Sequence, residues 1–163
     1  MIQTHETQTT VEFVLNGAEV STSVPDTEIL AETLREHDCL SVRQACGIGI
    51  CGSCTVLVDG RATSSCSVLT AQVQDAHVET SEGLAAQELS PVQRAFVEAG
   101  AFQCSFCIPG FVVTIEGLLR RSPTPSVDEV MHELEGNLCR CGSYPRIFAA
   151  IEQLCAHLRA SQG

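Results

Sequence analysis

The chain has 163 residues, 44% hydrophobic but only 4% aromatic and without Trp, so one domain or two small ones must be built on Val, Ile, Leu, Ala and a few Phe. A formal net charge of −11 repels phosphate backbones and excludes nucleic acid as the expected partner; it suits solubility, or more sharply the docking of a basic partner. No apolar run reaches the roughly 18 residues of a membrane span, and the polar start "MIQTHETQTT" lacks the marks of an export signal, so a cytoplasmic protein without membrane contact is expected.

Residues 10–15, "TVEFVL", alternate as a strand and stop at Asn16-Gly17, a pair suited to a two-residue hairpin. "AEVSTSV" returns as the second strand. A helix is expected over about 29–36, with Asp26 or Thr27 as N-cap. A cysteine-rich loop follows. "CTVLVDGRATSSC" then predicts a strand, an Asp59-Gly60 turn and a strand ending near Cys66, and "HVET" (77–80) a last one. Beyond Gly83 the texture becomes helical. Ser90 caps "PVQRAFVEAG", with Pro91 at the first helical position. "PGFVVTIEGLLRR" (109–121) is an apolar helix, and Ser126 with Glu129 forms a capping box for "VDEVMHELEG". The last helix, "YPRIFAAIEQLCAHLRA", puts Ile147, Ile151, Leu154 and Leu158 on one face. The fold class is α+β. A small mixed sheet crossed by one helix occupies residues 1–82, and a bundle of about four helices occupies 83–163.

The cytosol keeps ordinary thiols reduced, so ten cysteines there point to metal or redox chemistry rather than structural disulfides. Eight fall into two sets. Cys46, Cys51 and Cys54 follow C-x4-C-x2-C, with Cys66 twelve residues on, the plant-type [2Fe–2S] spacing. Cys46 and Cys51 are spaced to reach one side of a cluster, Cys54 and Cys66 the other. Gly47, Gly49 and Gly52 permit positive φ and let backbone N–H groups approach sulfur. The second set is Cys104 and Cys107 in "QCSFC", with Cys139 and Cys141 in "NLCRCGSY". Each pair precedes a predicted helix, whose N-terminal dipole suits an anionic cluster.

Zinc is the first alternative, but a ribbon wants two C-x2-C pairs about 15–20 residues apart. A thioredoxin-type redox pair wants one motif in a βαβ setting. A catalytic thiol wants a partnered His, and His5, His37, His77, His132 and His157 show no such pattern. Iron–sulfur clusters are preferred for both sets. Cys39 and Cys155 are left as buried structural thiols, with Cys39 a conceivable spare ligand.

Together, "CGIGICGSCTV", "QCSFCIPG" and "GNLCRCGSYPRI" resemble the small iron–sulfur subunit of the xanthine dehydrogenase family of molybdenum hydroxylases, over about residues 10–157. The resemblance implies a β-grasp ferredoxin-like domain and a four-helix bundle, with one [2Fe–2S] cluster in each. It implies two partners, a molybdopterin-binding large subunit and an FAD-binding medium subunit. The cluster on Cys46, Cys51, Cys54 and Cys66 would lie nearer the flavin, and that on Cys104, Cys107, Cys139 and Cys141 nearer the molybdenum. Gln103 and Cys141 would contact the partner's pterin. The implied role is electron transfer, without substrate turnover by this chain alone; a free-standing two-cluster carrier is the alternative. The sequence departs from the family pattern at Ser105 (usually Gly), Ile108 (often Thr) and Gly142-Ser143 (usually Thr-Gly).

Overall fold

The computed structural model describes residues 7–85 and 88–161. Val11, Phe13 and Leu15 alternate with more exposed neighbours, so β1 (Gln8–Leu15) has one buried face, the period of two expected of a half-covered strand. At Asn16-Gly17 both residues take positive φ, 51° and 85°. That geometry matches the twist of the flanking strands and returns the chain as β2 (Ala18–Pro25), with Leu15 opposite Ala18.

Helix α1 (Leu30–Glu36) starts later than its Asp/Thr signal suggests. Ile29 is its N-cap, in an extended conformation and without a side-chain cap. Asp26 instead accepts the Thr9 hydroxyl at 2.5 Å. The helix start is satisfied from elsewhere: the Leu30 N–H donates to the Val68 carbonyl at 2.8 Å. A tertiary acceptor has replaced the local cap.

β3 (Thr55–Val58) and β4 (Arg61–Ser64) flank the Asp59-Gly60 turn, again with positive φ at both residues. β5 (His77–Glu79) sits at the centre, parallel to β1 and antiparallel to β3, giving the order β2-β1-β5-β3-β4. Leu30, Ala31 and Leu34 of α1 close the first core with Val11, Phe13, Val56 and Val78.

A short helix, α2 (Ser81–Leu84), leads toward the helical half. In α3 (Pro91–Glu98) the Ser90 hydroxyl accepts the Gln93 N–H, and the Gln93 side chain accepts the Ser90 N–H in return. α4 spans Ile108–Arg121. α5 (Val127–Glu133) carries the Ser126–Glu129 box, and α6 spans Tyr144–Ala160. Val92, Phe96, Phe111, Ile115, Ile147, Ile151 and Leu154 fill a second core, with Leu158 packed at its edge. Burying side chains of this size contributes about 1.5–3 kcal/mol each before entropy is counted.

Helix α4 joins the halves by lying on the sheet. A Cβ at Gly110 would stand 2.0 Å from the Gly52 carbonyl oxygen, and one at Gly117 would stand 2.9 Å from Leu57 Cδ2. Both faces of β3 are therefore covered: Val56 lies in the first core and Leu57 lies under α4. At the far end of α4, Arg120 grips Glu79 of β5 with two hydrogen bonds of 2.7 Å. Among the described residues, no helix is long and apolar enough to cross a membrane.

Candidate metal centres

The first loop bends where its glycines stand. Gly47, Gly49 and Gly52 have φ of 66°, 73° and 68°. Bent this way, the backbone N–H groups of Ile48, Ile50 and Cys51 converge on the Cys46 sulfur, with the Cys51 thiol beside it. They lower the Cys46 pKa to about 6, so the loop is a ready-made nest for anionic sulfur. Cys54 and Cys66 lie deeper. Ser65 donates its N–H and its hydroxyl to the Cys54 carbonyl, at 3.4 and 2.7 Å, which pins the Cys66 turn against Cys54. Burial pushes the Cys54 thiol up to about 11.

The second set is built the same way from two distant segments. The sulfurs of Cys104 and Cys141 are 3.2 Å apart and exposed. Cys104 is held below its ordinary pKa by the Phe106 N–H, and next by the Cys141 thiol. Cys107 and Cys139 face each other in the interior, and burial pushes Cys107 up to about 12. Burial also acts on Cys139, but the Ser143 N–H, donating at 3.3 Å, and the neighbouring Cys107 outweigh it and hold the thiol low. The Tyr144 hydroxyl accepts the Cys139 N–H at 2.8 Å, which fixes the loop at the mouth of α6.

Each set thus resolves into an outer pair and an inner pair of sulfurs. Among the described residues, no three His, Cys, Asp or Glu side chains converge as they would on a single ion. Two pairs suit a two-iron cluster better than one tetrahedral zinc, which needs four ligands about one point. Cys54 and Cys107, both deep in their sites, resist ionisation by themselves. A coordinated cation deprotonates such a thiol outright, so the donor chemistry fits iron–sulfur ligation.

The two loops touch. The Leu138 N–H donates to the Cys51 carbonyl at 3.0 Å, and the Asn137 side chain reaches the Gly52 carbonyl at 3.4 Å. Arg43 donates to the Ser105 carbonyl at 2.8 Å while its guanidinium lies 5.3 Å from the Phe106 ring centre. A cavity of about 680 Å³ at this junction is lined by Cys51, Cys104, Cys107, Cys139, Cys141 and Tyr144, among others. Gln103 and Cys141 are both exposed beside it, and the Gln103 amide donates to the Cys141 carbonyl at 3.0 Å.

Sequence reasoning missed Arg43, Asn137 and Leu138. Arg43 sits three residues before Cys46, but spacing alone names no partner across the molecule. Cys39 and Cys155 belong to neither set. They are buried in the first and second cores, respectively, and burial raises both thiols.

Comparison with known proteins agrees with this geometry. A family model described as a [2Fe-2S] binding domain matches residues 80–152, and one described as a 2Fe-2S iron-sulfur cluster binding domain matches residues 3–99. The nicotine 6-hydroxylase small subunit of Paenarthrobacter nicotinovorans is 39% identical over 142 residues, covering 86% of this chain and 86% of that protein. The xanthine dehydrogenase iron-sulfur-binding subunit of Escherichia coli is 42% identical over 147 residues, covering 88% and 92%. A chain in the crystal structure of quinoline 2-oxidoreductase from Pseudomonas putida superposes with a TM-score of 0.85 at 35% identity, covering 94% of this chain and 97% of that one.

Proposed function

This chain belongs to the small [2Fe–2S] iron–sulfur subunits of the xanthine dehydrogenase family, and we propose from that membership how its residues do their work. It is the electron-transfer subunit of a molybdenum hydroxylase, an oxidoreductase whose large subunit holds the molybdopterin cofactor. When bound, its two [2Fe–2S] clusters supply one-electron steps between that cofactor and FAD or another acceptor.

We assign the first cluster to Cys46, Cys51, Cys54 and Cys66, and the second to Cys104, Cys107, Cys139 and Cys141. The loop N–H groups of Ile48, Ile50 and Cys51 hold anionic sulfur at the first site, and those of Phe106 and Ser143 do so at the second. Arg43, Asn137 and Leu138 clamp the two loops together, which shortens the path between the sites. Gln103, anchored on the Cys141 carbonyl at the surface, is placed to meet the partner's pterin. No catalytic residue is assigned to this chain; substrate is converted in the large subunit.

The finer architecture is read as a β-grasp ferredoxin-like domain over residues 1–82 and a four-helix bundle over 83–163, in a cytoplasmic complex that also contains an FAD-binding medium subunit. The observation that carries the conduit reading is the Cys51–Leu138 hydrogen bond, which joins one cysteine loop to the other. Electron paramagnetic resonance of the dithionite-reduced, purified complex tests it. Two distinct rhombic signals that interact magnetically are expected. A complex holding zinc in place of iron overturns the reading.

A further inference from the structure

Ser143 stands at the N-cap of α6 and is 2% exposed. Its N–H donates to the Cys139 sulfur at 3.3 Å, so the residue is locked against the second cysteine set. Its hydroxyl oxygen is buried and makes no hydrogen bond among the described residues. Native interiors rarely leave such a group unused. A serine hydroxyl can donate as well as accept. Beside it, Cys139 is a sulfur that turns anionic on binding metal, and anionic sulfur takes charge-assisted donors strongly. The family pattern has Gly at this position, without a hydroxyl, so the group is a departure from that pattern.

We propose that the Ser143 hydroxyl donates a hydrogen bond to the second cluster's sulfur on the Cys139 side and raises that cluster's reduction potential. The inference rests on the assignment of Cys139 to that cluster. Reduction adds one negative charge to the cluster. A donor at sulfur stabilises the more negative state more than the oxidised one, so the equilibrium moves toward reduction. With the N–H and the hydroxyl of one residue both directed at it, the second site becomes the better electron acceptor from the molybdenum side.

A potentiometric titration of the purified complex, following each cluster by its own paramagnetic signal, tests this with Ser143→Ala and Ser143→Thr. Ser143→Ala is expected to shift the second cluster's reduction equilibrium about tenfold toward the oxidised form, a fall of about 59 mV for one electron. The first cluster's midpoint should not move. Ser143→Thr keeps the hydroxyl and should keep the wild-type value. If Ser143→Ala does not load its cluster, Ser143→Gly, the family's own residue, carries the same expectation. An unshifted second midpoint, or equal shifts at both clusters, overturns the proposal. A wild-type complex with no second signal overturns the ligand assignment instead, so the two failures are distinguishable.

Discussion

The backbone N–H of Leu138 donates to the carbonyl of Cys51 at 3.0 Å. Cys51 lies in the first cysteine loop, and Leu138 immediately precedes Cys139 in the second. One main-chain hydrogen bond therefore bridges the two sites, and the Asn137 amide on the Gly52 carbonyl reinforces it. Bonds between backbone groups leave little slack, because neither partner can swing away as a side chain can.

Gly110→Ala should loosen this junction. Its new Cβ would stand 2.0 Å from the Gly52 carbonyl oxygen, which is backbone and has nowhere to go. Overpacking of this kind costs about 1–3 kcal/mol. The variant should show a lower urea midpoint and a weaker magnetic interaction between the two reduced clusters. An unchanged interaction would mean that α4 does not set the spacing of the sites.

Cys104→Ser should empty the second site alone. Serine oxygen is a harder ligand than thiolate, and iron–sulfur clusters are held by thiolates. Iron analysis should show half the wild-type content, the ferredoxin-type signal should persist, and turnover by the complex should stop. Wild-type turnover in this variant would place the electron path elsewhere.

Glu82 ties the segment after β5 to the approach of the first loop. Its carboxylate accepts the Ser41 N–H at 2.7 Å, the Thr80 hydroxyl at 2.6 Å and the Ser41 hydroxyl. Burial alone would raise its pKa, but these donors outweigh burial and hold it below the ordinary value. A carboxyl depressed on folding contributes stability above its unfolded pKa of about 4.3, and that contribution is lost as pH falls through the lower folded value. Glu82→Gln should therefore be less stable at neutral pH and lose less on acidification. Urea midpoints measured from pH 7 downward check this; parallel curves for the two proteins would count against it.

Ser105 has φ of 63°, in the left-handed region that a side chain disfavours. The family's usual glycine fits there without strain. Ser105→Gly relieves that strain but frees the unfolded chain, so a net gain of up to about 1 kcal/mol is expected. Thermal denaturation measures it. A clear loss would show that the serine side chain stabilises the loop through some contact of its own.

Much of this molecule is local, and local features are legible. Asn16-Gly17 and Asp59-Gly60 specify their turns because few other pairs accept positive φ twice. Ser126 with Glu129 specifies a helix start because both halves of the cap lie within one turn. The start of α1 is not legible in this way. Its first N–H is satisfied by Val68, a partner brought in by the fold rather than by the adjoining sequence.

By itself, then, the sequence determined which cysteines form two sets, which segments are strands and helices, and which family the chain resembles. All of these depend on spacing along the backbone. Only the tertiary structure decided that Cys51 meets Leu138, that Arg43 reaches Ser105, and that the Ser143 hydroxyl is buried beside Cys139 without a partner among the described residues. Glycines on α4 let a helix settle onto a sheet at backbone distance, which draws the two halves together where these contacts form. Such an approach depends on three-dimensional packing, which spacing along one chain does not encode.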